Sequence, residues 1–396
     1  LQLPTRPIIG WDGRVIRETP AWIATPDATA FYARIAGATA HTAKERMVEI
    51  LGETGHIDGD PRPITHPVKF FEKGDKPLEI VTTRQWYITN GGRDSELREK
   101  LLARGRELIW HPDHMKVRYE NWVEGLNGDW LISRQRFFGV PLPLWYRLDA
   151  DANPVYDGPL IPSDDRLPID PSSEVPDGFT EDQRGQPGGF ISDPDVMDTW
   201  ATSSLSPQIA GGWERDPDLW SRVYPMDVRP QAHEIIRTWM FSSVVRAHLE
   251  DDCLPWSNAA ISGWILDPDR KKMSKSKGNV VTPMDLLDEY SSDAVRYWAA
   301  SGRPGPDTAF DIGQRKIGRR LAIKVLNASK FVLSMGVADN VSAITRPLDL
   351  SMLAMLRDIV DRATQAFENY NYARALELAE SFLSLIHISE PTRPER

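Results

Sequence analysis

The chain contains a single cysteine, Cys253, among its 396 residues. One thiol excludes a disulfide within the chain and argues against a zinc site built on cysteine, so no structural zinc is predicted. The sequence also lacks the run of about 20 consecutive apolar residues that a membrane helix requires. These absences favour a cytoplasmic protein with no membrane contact.

Positive charge is in deficit, because 57 acidic residues outnumber 47 lysines and arginines and leave a formal charge of -10. A protein of this charge cannot hold nucleic acid through a general positive field, so any polyanion has to be met by a local cluster. Hydrophobic residues make up 41% of the chain, and tryptophan occurs 14 times. This composition excludes a disordered chain and predicts about two to four folded domains.

A dense local positive charge lies in the segment RKKMSKSKGNVV, residues 270–281, after the apolar stretch AAISGWIL at 259–266. The apolar stretch predicts a buried strand, and TPMDLLDEY after the loop predicts a helix with Thr282 as its N-cap. Beyond the carboxyl end of a sheet strand, lysine ammonium groups suit phosphate oxygens. The spacing does not match a Walker loop, and a solvated basic turn is the alternative on the residues alone.

The string KMSKS, Lys272–Ser276, lies between the predicted strand and helix and resembles the second signature of class I aminoacyl-tRNA synthetases. The segment DWLISRQRFFGVPLPLWY at 129–146 is similar to one in the valyl, isoleucyl and leucyl subgroup. In this family the loop closes over ATP, which is accompanied by Mg²⁺, and stabilises charge on the triphosphate. The resemblance implies that Lys272 and Lys275 are catalytic. The residues that it implies bind ATP are Lys272, Met273, Ser274, Lys275, Ser276, Gln231 and His233.

Two further segments, DVMDTWATSSLSP and RPQAHEIIRTWMF, are similar to those that form the valine pocket in the valyl members of the family. A small branched side chain needs a narrow apolar pocket with a carboxylate near its mouth for the α-ammonium group. Trp200, Ile235 and Trp239 would form the walls, the last two being four residues apart on one helix face. Asp198 or Glu234 would supply the carboxylate. Plain core packing is the alternative for residues at this spacing.

The resemblance also implies a domain order and an RNA partner. The fold class is α/β, with the second half of a Rossmann-type parallel-sheet catalytic domain at 79–300 and a loop insertion at 148–195. Residues 1–78 would end a β-rich editing domain, 301–384 would begin a helical anticodon-binding bundle, and 385–396 would be a non-native tail. The residues expected to contact phosphates of tRNA(Val) are Lys316, Arg319, Arg320 and Lys324.

None of the eight histidines forms the first class I signature, His-Ile-Gly-His or a close variant. The nearest match, HPDH at 111–114, lacks the glycine that lets a backbone approach phosphate, and it is predicted to be structural. The sequence is therefore interpreted as an internal piece of a monomeric synthetase for valine, inactive by itself. An isoleucyl or leucyl member of the family and a non-catalytic tRNA-binding module derived from a synthetase are the alternatives.

Overall fold

The computed structural model describes residues 6–62, 64, 65, 67–70, 77–274, 278–280, 282, 284–310, 312–336 and 343–388. The chain separates into two compact units, Leu1–Gln85 and Trp86–Arg396. The boundary predicted at 78/79 therefore lies slightly before the observed one. Within the described ranges, no helix is both long and apolar enough to cross a membrane.

The first unit is built on two helices, α1 (Pro26–Ile35) and α2 (Ala40–Glu53). The spacing of Met47, Ile50 and Leu51 ahead of Gly55 predicts a helix, and α2 confirms it. The turn-rich stretch ahead of it contains α1, because the Thr25 hydroxyl caps the first turn and Pro26 occupies a position where a helix needs no backbone donor. The buried core of this unit consists of Val15, Tyr32, Ile35 and Ile50.

The β-rich character expected for residues 1–78 is not found in their described part, where pairing is limited to isolated β-bridges. The alternation in residues 66–89 predicts strands, but the described part of this stretch forms one short strand, Tyr87–Ile88, at its end. Alternation produces a strand only where a neighbouring strand satisfies the backbone and a core covers one face. Ile80, in the middle of this stretch, is 95% exposed and meets no such core.

The second unit mixes strands and helices. Its strands are β1 (Tyr87–Ile88), β2 (Ile109–His111), β3 (Trp130–Leu131), β4 (Ser133–Arg134), β5 (Trp145–Leu148), β6 (Pro154–Leu160), β7 (Phe190–Ser192), β8 (Val196–Met197), β9 (Met226–Ala232), β10 (Trp256–Ser262), β11 (Ile265–Leu266) and β12 (Thr308–Ala309). Its helices are α3 (Ser95–Glu107), α4 (Lys116–Glu124), α5 (Thr199–Ser204), α6 (Ser206–Gly211), α7 (Pro217–Val223), α8 (Phe241–Asp251), α9 (Met284–Tyr290), α10 (Ser292–Ser301), α11 (Ile312–Ser334), α12 (Pro347–Glu368) and α13 (Tyr372–Ile388).

A parallel sheet of three strands lies at the centre of this unit, with β10 between β2 and β9. Ala259 of β10 pairs with Trp110 of β2 and with Arg229 of β9. Apolar side chains of α3, α4 and α8 pack with those of the sheet into one large core. This arrangement confirms the predicted α/β class, and it places the carboxyl ends of three strands at one edge.

The region 148–195, predicted as a loop insertion, contains a small antiparallel sheet in which β5 pairs with both β6 and β7. Trp145 and Phe190 are completely buried and form a separate core with Ile169. The Trp145 indole N–H donates to the carbonyl oxygen of Pro171 at 2.9 Å and so holds the proline-rich segment against this sheet. Two of its strands, β5 and β7, have only four and three residues, which is too short for periodicity to reveal them.

Helices dominate after residue 312, as predicted. α10 packs against α11 and α13, and α12 packs against α13. The amphipathic stretch at 351–383 forms two helices, because the chain turns between Glu368 and Tyr372, where Tyr370 has φ of 55°. α13 continues to Ile388, into the predicted non-native tail, and residues 389–396 lie outside the described residues.

The predicted strand at 259–266 is interrupted, since β10 ends at Ser262 and β11 begins at Ile265. A Cβ atom on Gly263 would lie 2.2 Å from the carbonyl oxygen of Pro306. Glycine alone permits this close approach of two backbone segments. The interruption releases Trp264 from the strand.

Replacing Gly263 by alanine should therefore destabilise the fold, because the Pro306 segment has to move away from the added methyl group. We expect Gly263→Ala to lower the free energy of unfolding by about 1–3 kcal/mol in urea denaturation. Gly128→Ala is the matched control, since a Cβ atom there meets nothing within 4 Å. Equal stability of the two variants would contradict this account of the interruption.

Candidate active site

An open cleft of about 940 Å³ lies at the carboxyl edge of the parallel sheet. Its lining includes His114 just beyond β2, His233 and Glu234 directly after β9, and Trp264 shortly after β10. Lys272 reaches the same cleft from the loop that follows β11. Ligands of open α/β sheets bind at this edge, so the cleft is the candidate site.

The loop that carries Lys272 is braced by hydrogen bonds at its base. The Asp267 carboxylate accepts from the backbone N–H of Lys271 at 2.7 Å and from Asn279 Nδ2 at 2.8 Å. Asn279 Oδ1 in turn accepts from the backbone N–H of Ser274 at 2.9 Å. The hydrogen bonds from Lys271 and Asn279 lower the pKa of Asp267, which therefore stays ionised. The backbone that projects Lys272 is thus tied to the end of β11.

Lys272 and Glu234 form an ion pair inside the cleft. Lys272 Nζ donates to Glu234 Oε2 at 2.9 Å and lies 3.9 Å from the centroid of the Trp264 ring. The Trp264 indole N–H donates to the same carboxylate oxygen at 2.5 Å. The hydrogen bond from Lys272 is the main cause that lowers the pKa of Glu234, and the indole N–H acts in the same direction. Glu234 is therefore a carboxylate at neutral pH.

Gln231 and His233 lie at the end of β9 and just after it, and both are buried. His233 Nε2 is 3.6 Å from Asp307 Oδ1. The centroid of the His233 imidazole ring is 4.8 Å from that of the Trp264 indole ring. His233 Nδ1 and both polar atoms of the Gln231 side chain have no hydrogen-bond partner among the described residues. Buried polar atoms of this kind are available to a polar ligand.

A second cavity of about 480 Å³ shares Trp122 and Arg237 with the cleft. Asp198 and Trp200, which the sequence assigns to the amino-acid pocket, line this second cavity and not the cleft. Glu234 lines the cleft and not the second cavity. The structure thus separates the two carboxylates that the sequence left as alternatives.

Asp198 is committed to the fold. It is only 6% exposed, accepts from Arg134 Nη2 at 2.9 Å and from Trp130 Nε1 at 3.0 Å, and caps α5 through the backbone N–H of Trp200. Three donors already occupy this carboxylate, so a substrate ammonium group would have to displace one of them. Glu234 is the more accessible carboxylate, with 39% of its side chain exposed.

Ile235 and Trp239 do not share one α-helical face. Ile235 belongs to the 3₁₀ turn His233–Ile235, and Trp239 lies in the π-helical turn Ile236–Met240 that leads into α8. The Arg229 guanidinium carbon lies 3.2 Å from the Trp239 ring centroid, and the Trp239 indole N–H donates to the Ser203 carbonyl oxygen at 2.8 Å. Burial lowers the pKa of Arg229 to about 10. Neither Ile235 nor Trp239 lines the cleft or the second cavity.

The remaining predicted residues lie in two places. Met273 and Ser274 are half-buried beside Lys272, whereas Lys275 and Ser276 lie outside the described residues. The four cations predicted to contact tRNA, which are Lys316, Arg319, Arg320 and Lys324, are all exposed and are carried by α11. The Arg319 guanidinium donates to the carbonyl oxygen of Glu289 at 3.3 Å. This strip belongs to the helical region and is not part of the cleft lining.

Sequence reasoning missed several residues of the cleft lining, among them His114 and Trp264. His114, in the segment interpreted as structural, lines it, while His111 of the same segment contacts Asn258 Oδ1 at 3.0 Å. Trp264 was assigned to the interior of a strand. Their positions in the sequence could have indicated a place in the cleft, since both residues follow closely after a predicted or observed parallel strand. Among the described residues, no group of three or more His, Cys, Asp and Glu side chains is arranged to hold a metal ion.

Residues 33–311 match the sequence family described as tRNA synthetases class I (I, L, M and V). The valine–tRNA ligase of Thermobifida fusca (strain YX) is 68% identical over 385 residues, and that of Salinispora tropica is 63% identical over 386 residues. Each alignment covers 96% of this chain, but only 44% and 45% of the respective relative. The chain thus spans less than half the length of these curated relatives.

Two solved structures share the fold. The ternary LeuRS–tRNA–LeuAMS complex of Agrobacterium radiobacter K84 has a TM-score of 0.53 at 20% identity, covering 66% of this chain and 37% of that one. The methionyl-tRNA synthetase of Mycobacterium tuberculosis in complex with methionyl-adenylate has a TM-score of 0.50 at 23% identity, covering 73% of this chain and 50% of that one. At these identities the likeness concerns the fold alone, and it confirms the predicted fold class.

The commitment of Asp198 to the fold can be tested by its removal. Asp198→Ala removes the acceptor that Arg134 and Trp130 share and deletes a helix cap, so we expect the free energy of unfolding to fall by about 1–3 kcal/mol. Asp177→Ala is the control, because its ion pair with Arg166 has a carboxylate that is 77% exposed and should contribute less than about 1 kcal/mol. Similar small losses in both variants, measured by urea denaturation, would show that Asp198 is not a structural carboxylate.

Proposed function

Because this chain belongs to the class I tRNA synthetases (I, L, M and V), we propose that it forms the second half of the catalytic fold of a valine–tRNA ligase. In the proposed reaction the carboxylate of valine attacks the α-phosphorus of ATP, and pyrophosphate leaves as the valyl-adenylate forms. The acyl group then passes to the terminal adenosine of tRNA(Val), and AMP leaves. The convergence of Lys272 and Glu234 in the cleft carries this proposal.

The triphosphate of ATP is proposed to lie against the loop at 270–281. Lys272 lines a cleft whose volume suits a small-molecule ligand. Its ammonium group, with that of Lys275, would neutralise charge that develops on the departing pyrophosphate. Met273, Ser274 and Ser276 would complete the loop contact. Mg²⁺ would arrive with ATP and be held largely by phosphate oxygens and water.

The ribose of ATP is proposed to lie near Gln231 and His233. Both side chains are buried beside the carboxyl edge and keep polar atoms without a protein partner. A ribose hydroxyl can donate to one of these atoms and accept from another. Their place next to Glu234 would set the sugar between the triphosphate and the amino acid.

The α-ammonium group of valine is proposed to bind Glu234. The supporting observation is that Glu234 is ionised and accessible in the cleft, whereas Asp198 is buried and occupied by three donors. Trp200, Ile235 and Trp239 do not line the cleft that contains Glu234, so they are not proposed as walls of this site. The assignment of valine over isoleucine or leucine is supported by the two ligases with 63–68% identity.

The cationic strip on α11 is proposed to contact tRNA phosphates. Lys316, Arg319, Arg320 and Lys324 are exposed on one helix, in a chain whose formal charge is -10. A local strip of this kind positions RNA without reading its bases. The natural setting would be the cytoplasm, with the enzyme acting as a monomer.

This chain by itself is proposed to be inactive in amino-acid activation. It spans 44% of its Thermobifida fusca relative, and none of its histidines forms the first class I signature. Catalysis by positioning requires charge on both sides of the triphosphate. The residues in this chain would supply the charge on one side of the triphosphate.

Valine-dependent ATP–pyrophosphate exchange tests the proposed function. The sharpest version uses a chimera in which residues 33–311 replace the matching segment of the Thermobifida fusca ligase. We expect the chimera to exchange with valine, and Lys272→Ala in it to lower the rate by about 10²–10³, as for loss of one charge-stabilising group. This chain alone should give no exchange above background.

Lys271→Ala in the same chimera is the matched control. Lys271 neighbours Lys272, but its side chain is 70% exposed and its ion pair with Asp269 is long, at 3.9 Å. We expect this variant to retain exchange within a few fold of the parent chimera. Undiminished exchange after Lys272→Ala would refute the proposed role of the loop, and faster exchange with isoleucine than with valine would favour the isoleucyl alternative.

A further inference from the structure

The two charges that the proposed reaction needs are paired with each other in the cleft. Lys272 Nζ, suited to a triphosphate, donates to Glu234 Oε2, suited to a substrate ammonium group, at 2.9 Å. Neither charge can serve its ligand fully while it neutralises the other. The side chains are 51% and 39% exposed, and an ion pair of that exposure holds its partners weakly. A charged ligand can therefore replace either partner.

Trp264 holds both members of this pair at once. Its indole N–H donates to Glu234 Oε2, and its ring lies 3.9 Å from Lys272 Nζ. The negative face of an indole attracts an ammonium group, while the N–H at its edge serves a carboxylate. The ring is fixed in turn, because the backbone N–H of Trp264 donates to Asp307 Oδ1 at 2.8 Å and the His233 ring packs against it.

We propose that Trp264 is a positioning residue and that the Lys272–Glu234 pair it holds couples the binding of the two small substrates. A primary ammonium group that binds Glu234 displaces Lys272, whose charge becomes available to the triphosphate. A triphosphate that draws Lys272 away leaves Glu234 available to the ammonium group. Because each ligand breaks the same ion pair, each improves the affinity for the other by the same factor. This inference rests on the proposed function.

The state of Lys272 can be followed by its reactivity toward a water-soluble acetylating ester, located by tandem mass spectrometry. Lys271 is the internal reference, since it is the adjacent residue and lies outside the pair. We expect Lys272 to react more slowly than Lys271 in the chain without additive. L-valinol keeps the ammonium group of valine but has no carboxylate, so it cannot be activated. It should raise the reactivity of Lys272 about two- to fivefold, as for release from an exposed ion pair, and leave Lys271 unchanged.

Variants separate the two contacts of the indole. Glu234→Gln should raise the reactivity of Lys272 to that of Lys271 and abolish the effect of L-valinol. Trp264→Phe keeps a ring face but loses the N–H, so we expect intermediate protection, whereas Trp264→Leu should lose most of it. Trp213→Phe, at an exposed indole that lines neither cavity, is the matched control and should behave as the parent. Circular dichroism checks that each variant is folded.

Calorimetric titration of L-valinol on the same samples distinguishes a failure of the proposed coupling from a failure of the proposed amino-acid site. If L-valinol binds and the reactivity of Lys272 does not change, the coupling is refuted while the proposed amino-acid site stands. If L-valinol does not bind, the amino-acid site at Glu234 is wrong and the coupling falls with it. If Lys272 is as reactive as Lys271 without any ligand, the pair does not restrain Lys272 and the inference is overturned.

Discussion

Parallel pairing of β10 with β2 and β9 is the constraint on which the candidate site depends. Parallel strands end at one edge, so residues far apart in sequence, such as His114, Glu234 and Trp264, are brought to one cleft. An antiparallel arrangement would send them to opposite edges. Gly263 adds to this constraint, since its contact with the Pro306 backbone turns the chain out of β10 and frees Trp264 for the cleft. The sheet thus determines where chemistry is possible.

The chain is acidic as a whole, but the local charges in the cleft determine which ligands the cleft can bind. The described part of the loop after β11 is held by hydrogen bonds to Asp267 and Asn279, so Lys272 is presented from a restrained backbone. Glu234 faces it, ionised and paired. One cation and one anion in the same cleft suit a reaction between an anionic nucleotide and an amino acid better than either would alone.

The α/β class, the long helices after residue 312 and a position for Lys272 beyond the end of a strand could be predicted from the sequence, because KMSKS is a specific string. The choice between Asp198 and Glu234 could not be made from the sequence. The small sheet around Trp145 could not be predicted, since its strands are short and its core depends on contacts distant in sequence. Asp198 and Trp239 were assigned to a pocket because sequence spacing does not reveal their contacts. In the structure Arg134 pairs with the Asp198 carboxylate, and Arg229 lies against the Trp239 ring. His114 and Trp264 were missed because only tertiary structure brings them to the edge.

The central claim is that the triphosphate of ATP lies against Lys272 at the carboxyl edge of the sheet. An ATP analogue with an aldehyde on its terminal phosphate, followed by borohydride reduction and peptide mapping, tests this most directly. The account predicts that the label lies on Lys272 or Lys275 and that excess ATP prevents it. A label spread over exposed lysines such as Lys316 and Lys324, with no protection by ATP, would contradict the claim.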